Sequence, residues 1–218
     1  MTFNIKKETF MYDILIKNGK LVDGAGNPWF RTDVAIKGDK IVKIGKIEEE
    51  TAERIIDATG LFVTPGFIDS HSHSDLTLLV NPYAESFVRQ GITTVVNGNC
   101  GYSAAPIKGY LREMVLNDMY SLDGYGKISE YKIQVTWSTF SEYFEMLRRK
   151  GIAINVCTLA GHNNIRICAM GEAAFSSKDP TEIEFESMKN LLVEALKEGA
   201  LGLSTGLVYP PGIYAKTS

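Results

Sequence analysis

The chain has 218 residues, of which 44% are hydrophobic and 22% charged. That is enough apolar surface for a buried core and a soluble globule, and it excludes a disordered tail, a collagen-like repeat and a small disulfide scaffold. The net charge is −3 with no basic block, so neither nucleic acid nor an anionic membrane is an expected partner.

The N-terminal ten residues contain two lysines but no apolar stretch of the kind a signal peptide needs. Residues 1–10 read as an extension, with Met11 as an alternative start. No apolar run approaches the roughly 20 residues of a membrane helix. Cys100, Cys157 and Cys168 are an odd number without C-x-x-C pairing, which is the usage of a reducing, cytoplasmic setting.

From Tyr12 to Thr64 the pattern has period 2. Ile14 and Ile16 alternate with Leu15 and Lys17, and Asn18-Gly19 predicts a hairpin turn before Lys20-Leu21-Val22. A second hairpin is predicted at Gly38-Asp39, between Val34-Ala35-Ile36-Lys37 and Lys40-Ile41-Val42-Lys43-Ile44. Residues 11–64 thus form an expected small, all-β, sandwich-like segment.

After Pro65-Gly66, strands alternate with helices, the rhythm of βα units around a parallel sheet. Strands are expected over Leu61–Ile68, Ile92–Val96, Ile152–Leu159 and Ala200–Ser204. Thr139-Phe140-Ser141-Glu142 is a capping box, and Phe140, Tyr143, Phe144 and Leu147 make an apolar stripe that Gly151 ends. Asp179-Pro180-Thr181-Glu182 offers an N-cap at Asp179 and a proline at the first helical position, with Gly199 as the stop. The stretch from Gly98 to Trp137 reads either as a lid or binding loop or as a helix with irregular surface.

The first strand runs into Asp69-Ser70-His71-Ser72-His73. Residues two apart in an extended chain share a side, so Asp69, His71 and His73 project together. Two imidazoles there can grip a divalent ion, zinc above all, while Asp69 orients one ring through its second nitrogen. Two polar residues in a surface loop would read the same. Cys100 follows the second strand in Asn97-Gly98-Asn99-Cys100-Gly101. It is either a small hydrophobe in a turn or, since residues past the strand ends line the opening of a parallel barrel, a third donor facing the histidine pair. Cys157 and Cys168 read as core, and His162 as a hydrogen-bonded structural histidine. Tyr209 is either a substrate-binding hydroxyl or a packing tyrosine.

The stretch Met11–Gly19, the motif Pro65–His73, Val96–Ser103, Ala160–Arg166 and Gly199–Pro210 together resemble the D-aminoacylase (N-acyl-D-amino-acid deacylase) branch of the amidohydrolase superfamily. The resemblance implies an α/β fold, a (β/α)8 barrel with a small β domain. It implies zinc-dependent hydrolysis of the acyl amide of N-acyl-D-amino acids. It matches His71 and His73 to the family's first-strand histidine pair and Cys100 to its zinc-binding cysteine. The fourth strand, Gly202-Leu203-Ser204-Thr205-Gly206, has no lysine, where hydantoinase-like and dihydroorotase-like relatives place a metal-bridging one.

The family's later zinc histidines and its proton-shuttling aspartate fall on later strands, yet no histidine follows His162. A full barrel takes about 250 residues, against the 154 that follow position 64. The expectation is therefore about four of eight βα units over 65–218, completed by a missing C-terminal half that carries the aspartate. Two other readings remain: an inactive fragment with residual metal binding, and an amidohydrolase of cyclic amides.

Overall fold

The computed structural model describes residues 12–48 and 52–216; the extension 1–10 and the start at Met11 lie outside them. The fold is mixed α/β. The chain divides into two compact units, one ending at Pro65 and one beginning at Gly66.

In the first unit, β1 (Tyr12–Leu21), β2 (Phe30–Lys37), β3 (Lys40–Gly45), β4 (Ala52–Asp57) and β5 (Phe62–Val63) form one sheet in the order β3-β2-β1-β4, with β5 also on β1. The Gly38-Asp39 turn joins β2 to β3 antiparallel as the sequence predicts. The predicted turn at Asn18-Gly19 is absent. β1 runs straight through it with a register break between Ile16 and Gly19, and Asn18 has φ 63°. The same residues that suit a tight turn also supply the left-handed step of a bulge. The buried Asp33 carboxylate fixes the spot, accepting from the backbone N–H of Asn18 at 2.8 Å and of Ile47 at 2.9 Å. Leu15, its cross-strand partner Ala35, and Ile47 close the core of this unit.

The second unit begins with β6 (Phe67–Asp69) and two single-turn helices, α1 (Thr77–Val80) and α2 (Glu85–Val88). Then come β7 (Ile92–Asn97), α3 (Gly109–Leu116), α4 (Ile128–Tyr131) and α5 (Phe140–Lys150). The described chain continues with β8 (Asn155–Thr158), β9 (Ala160–Gly161), α6 (His162–Met170), α7 (Glu182–Lys197) and β10 (Leu203–Ser204). The strand predicted over Leu61–Ile68 is two strands. Phe62–Val63 pairs with β1, Phe67–Asp69 pairs with β7, and Pro65-Gly66 separates them. Proline has no N–H for a ladder, and a side chain at Gly66 would run into Thr93.

β6, β7 and β8 are parallel neighbours, and β9 pairs parallel with β10. Only Leu159 separates β8 from β9, and its N–H donates to Asn97 while Leu201 donates to Thr158. Four strand positions therefore follow one another in chain order, with helices in each crossover. Those helices bury one apolar core against the strands, with Trp137, Phe140 and Tyr143 fully enclosed beside Val95, Leu76 and Ile167. Each such side chain contributes roughly 1.5–3 kcal/mol through area removed from water.

α5 starts at the predicted capping box, Thr139 accepting from Glu142 N–H, and ends at Gly151 in the left-handed region. For α7 the cap is Thr181, not Asp179. Thr181 and Glu184 form a complete capping box, and Asp179 pairs with Lys216 at 2.6 Å instead.

Candidate metal centre

Past β6 the chain stays extended and is stitched down through alternate residues. Ser72 N–H donates to the Val96 carbonyl at 3.0 Å. The Ser72 hydroxyl donates to Ser74 Oγ, and Ser74 donates from both N and Oγ to Asn97 Oδ1 at 3.2 and 2.8 Å. With Ser72 and Ser74 buried, the period of 2 turns His71 and His73 into a cleft of about 860 Å³. Asp69 lies at the strand end as expected but does another job. Its Oδ1 accepts from the backbone N–H of His71 at 3.1 Å, an i to i+2 contact typical of aspartate in a turn. It fixes the backbone there, not an imidazole.

Cys100 arrives from β7 in a turn of left-handed steps, with φ 57° at Cys100 between Gly98 and Gly101, both also positive. A side chain other than Asn or Asp rarely adopts this conformation, and such strain persists only where the surroundings over-determine it. They do so here. Asn99 Nδ2 donates to the Ser72 and Val96 carbonyls at 3.0 and 2.7 Å. The Ser204 hydroxyl, from β10, accepts from Gly101 N–H at 3.1 Å and donates to the Gly98 carbonyl.

The outcome is a convergence of three donors. Cys100 Sγ lies 3.3 Å from His71 Nε2, the His71 and His73 rings stand 5.4 Å apart, and one ligand atom from each of the three residues falls within 4.8 Å of the others. His73 Nδ1 is buried without a hydrogen-bond partner. Burial, then the nearby charge of His71, hold the His73 pKa below its ordinary value against the opposing Asp123 carbonyl and carboxylate. The neutral imidazole favoured in this way is the form that binds metal.

Behind the histidines lies Asp75, wholly buried, whose carboxyl is pushed up to about 7 by burial, against a Gly98 N–H that favours its charge. The cleft wall is aromatic. Tyr102 and Tyr209 rings stand 5.8 Å apart, and Tyr125 meets His73 edge to face at 5.1 Å. Burial and then Tyr209 raise the Tyr102 phenol pKa. Tyr209 therefore lines the same cleft as the three donors.

His162 is the first residue of α6 and lies outside this cleft. Its Nδ1 is buried without a partner, and burial followed by Arg166 lowers its pKa. Cys157 is half-buried within β8. Cys168 packs against the main core with its thiol pushed up to about 11 by burial. Sequence reasoning missed Ser72, Ser74, Asn97, Asn99 and Ser204, which hold the donors, and Asp123 and Tyr125, which approach them from the long β7–β8 crossover. For the serines a signal existed in the alternation Ser-His-Ser-His-Ser. For Asp123 and Tyr125 there was none.

The chain matches the amidohydrolase family profile over residues 54–216 and belongs to that family. It is 36% identical over 206 residues to a D-aminoacylase of Alcaligenes xylosoxydans xylosoxydans, covering 94% of this chain and 40% of that protein. With an N-acyl-D-glutamate deacylase of the same organism it shares 39% identity over 200 residues, 92% of this chain and 38% of the relative. The crystal structure of an N-acyl-D-glutamate deacylase from Bordetella bronchiseptica, complexed with zinc and a phosphonate inhibitor, superposes with a TM-score of 0.80 at 35% identity. That match covers 95% of this chain and 41% of the other. A D-aminoacylase structure matches with a TM-score of 0.78 at 34% identity, over 94% and 41% of the two chains. The chain thus spans about two-fifths of the length of these relatives.

Proposed function

We propose that this chain supplies the first part of the active site of a zinc-dependent hydrolase that cleaves the acyl amide of N-acyl-D-amino acids, with His71, His73 and Cys100 holding the ion. The observation that carries this reading is the convergence of one sulfur and two imidazole nitrogens at the ends of adjacent strands. The donor set fits. A thiolate and neutral imidazoles suit zinc, and His73 has a buried ring nitrogen still lacking a partner. The names of the relatives, D-aminoacylase and N-acyl-D-glutamate deacylase, supply the substrate class.

A bound zinc supplies Lewis acidity, polarising an amide carbonyl and acidifying water. This chain's own residues orient and enclose. Ser72, Ser74 and Asn97 fix the direction of the histidines, and Ser204 and Asn99 fix the turn of Cys100. Tyr209 stands beside Tyr102 on the cleft wall, which supports a substrate-binding role for its hydroxyl.

In this reading residues 11–64 are a small β domain and residues 65–218 the first four βα units of a (β/α)8 barrel. The four parallel strand positions in chain order support it. The general acid/base aspartate and further ligands belong to a complementary C-terminal segment. The partners are then a small-molecule substrate and that segment. A net charge of −3 speaks against nucleic acid. No helix among the described residues is long and apolar enough to cross a membrane, and three unpaired cysteines fit a reducing cytoplasm.

The test is a cobalt(II) titration of the full chain. It should give a sulfur-to-metal charge-transfer band that Cys100→Ala abolishes; a band of equal strength in the variant defeats the ligand assignment. Paired with a complementary segment, the zinc form should hydrolyse N-acyl-D-amino acids and leave hydantoins intact. Hydantoin cleavage would move the assignment to cyclic amides, and an inert pair with normal zinc content would leave a metal-binding fragment.

A further inference from the structure

We infer that Asp123 and Tyr125 are positioning residues for His73: a loop tied around the Asp123 carboxylate lays the Tyr125 ring against the His73 imidazole and holds it in the orientation that meets His71 and Cys100. The role rests on the metal reading above and adds to it a device from a different crossover.

Asp123 is fully buried, and its carboxylate is used on both oxygens. Oδ1 accepts from the Ser121 hydroxyl at 2.9 Å and from the backbone N–H groups of Tyr125 and Gly126 at 3.0 and 3.3 Å. Oδ2 accepts from the Tyr131 hydroxyl at 2.6 Å. A carboxylate that collects four donors from residues 121–131 leaves the loop one conformation. Leu122 anchors the loop in the main core, while Tyr125 at its tip is 77% exposed and lines the cleft of the site. Tyr125 meets the His73 ring at 5.1 Å with an interplanar angle of 80°, an edge-to-face geometry favoured by the ring quadrupoles. One residue earlier, Gly124 has φ +80°, and an added Cβ there would stand 3.1 Å from the Tyr102 ring. The loop is therefore seated on Tyr102 on one side and on His73 on the other.

His73 has need of such a support. Its Nδ1 is buried without a partner, so no hydrogen bond from that atom fixes the ring. Of the two carboxylates near it in sequence, Asp69 is taken up with the His71 backbone N–H and Asp75 with the Gly98 N–H. In metal sites, partners outside the ligands that hold imidazole orientation typically change metal affinity 10–100-fold when removed.

The experiment compares the full wild-type chain with Tyr125→Ala, Tyr125→Phe and Asp123→Asn. It reads the imidazole proton resonances of the apo chain, which has only three histidines, and cobalt(II) affinity by titration. Tyr125→Ala and Asp123→Asn should shift the His73 resonances and weaken cobalt binding about tenfold, while Tyr125→Phe, which keeps the ring, stays within about twofold. Asp123→Asn risks the loop's folding, but Tyr125→Ala removes an exposed side chain and leaves the fold intact. A Tyr125→Ala chain with unmoved His73 resonances, or with wild-type cobalt affinity, overturns the inference. Should the wild-type chain bind no cobalt through Cys100, the metal reading fails, and exchange broadening of the apo His73 resonances in Tyr125→Ala but not in Tyr125→Phe still decides whether Tyr125 holds the ring.

Discussion

Cys100 Sγ and His71 Nε2 are 3.3 Å apart, brought together from the ends of two adjacent parallel strands. On the metal reading proposed above, an ion held by these donors and His73 binds the folded chain and not the unfolded one. Free zinc at 100 times its dissociation constant should stabilise the fold by about 2.7 kcal/mol. A chelator should therefore lower the melting temperature of wild type and leave Cys100→Ala unmoved. Equal shifts in both would mean that the ion sits elsewhere.

The Ser204 hydroxyl closes the turn that carries Cys100. Ser204→Ala leaves the Gly101 N–H and Gly98 carbonyl without that partner in a buried place and should cost about 1–3 kcal/mol. Urea unfolding reads this as a lower midpoint at unchanged slope. An unchanged midpoint would show that the turn holds without Ser204.

The pKa of His162 is lowered in the fold by burial, then by Arg166, so the unfolded chain binds its proton first. Above an unfolded value of about 6.5 the residue has no pH-dependent effect. As pH falls below it, stability is lost until the folded value is passed. His162→Gln should remove that contribution, leaving those of His73, whose pKa is shifted the same way, and of Asp75, whose raised pKa acts with the opposite sign. Comparing urea midpoints at pH 7.5 and 5.5 checks it, and parallel losses in both chains would refute it.

Burial raises the Cys168 thiol to about 11. Since the thiolate is the nucleophile, alkylation of Cys168 should be very slow near neutrality and rise about tenfold per pH unit on approach to that value. Peptide mapping after iodoacetamide treatment reports it directly. Rapid labelling at pH 7.5 would contradict the packing around this thiol.

Thr181→Ala removes the cap of α7 and should cost about 1 kcal/mol. Asp179→Ala removes only an exposed ion pair with Lys216 and should cost about 0–1 kcal/mol. A larger effect at Asp179 would reverse the assignment of the cap.

What could be read from the sequence followed its periodicities. His71, His73 and Cys100 stand just past runs that alternate or bury as strands do, so their side and their neighbourhood were legible. The Asn18-Gly19 bulge was not, because a hairpin and a bulge ask for the same left-handed backbone, and the choice is made by Asp33, fifteen residues on. Asp179 and Thr181 both resemble caps, and what separates them is the reciprocal bond from Glu184. Asp123 and Tyr125 lie in a crossover with no period at all. Their contact with His73 bridges some fifty residues and leaves no local trace.

Cys100 is held by a hydroxyl more than a hundred positions later in the chain. During synthesis the histidine pair can be stitched to β7 well before β10 exists, whereas the turn of the thiol, held until then by Asn99 alone, is closed only when Ser204 has been made and docked. A chain stopped between the two strands would present two aligned imidazoles beside a cysteine whose turn is only half tied. The order in which the strands are made is thus also the order in which the three donors become a set.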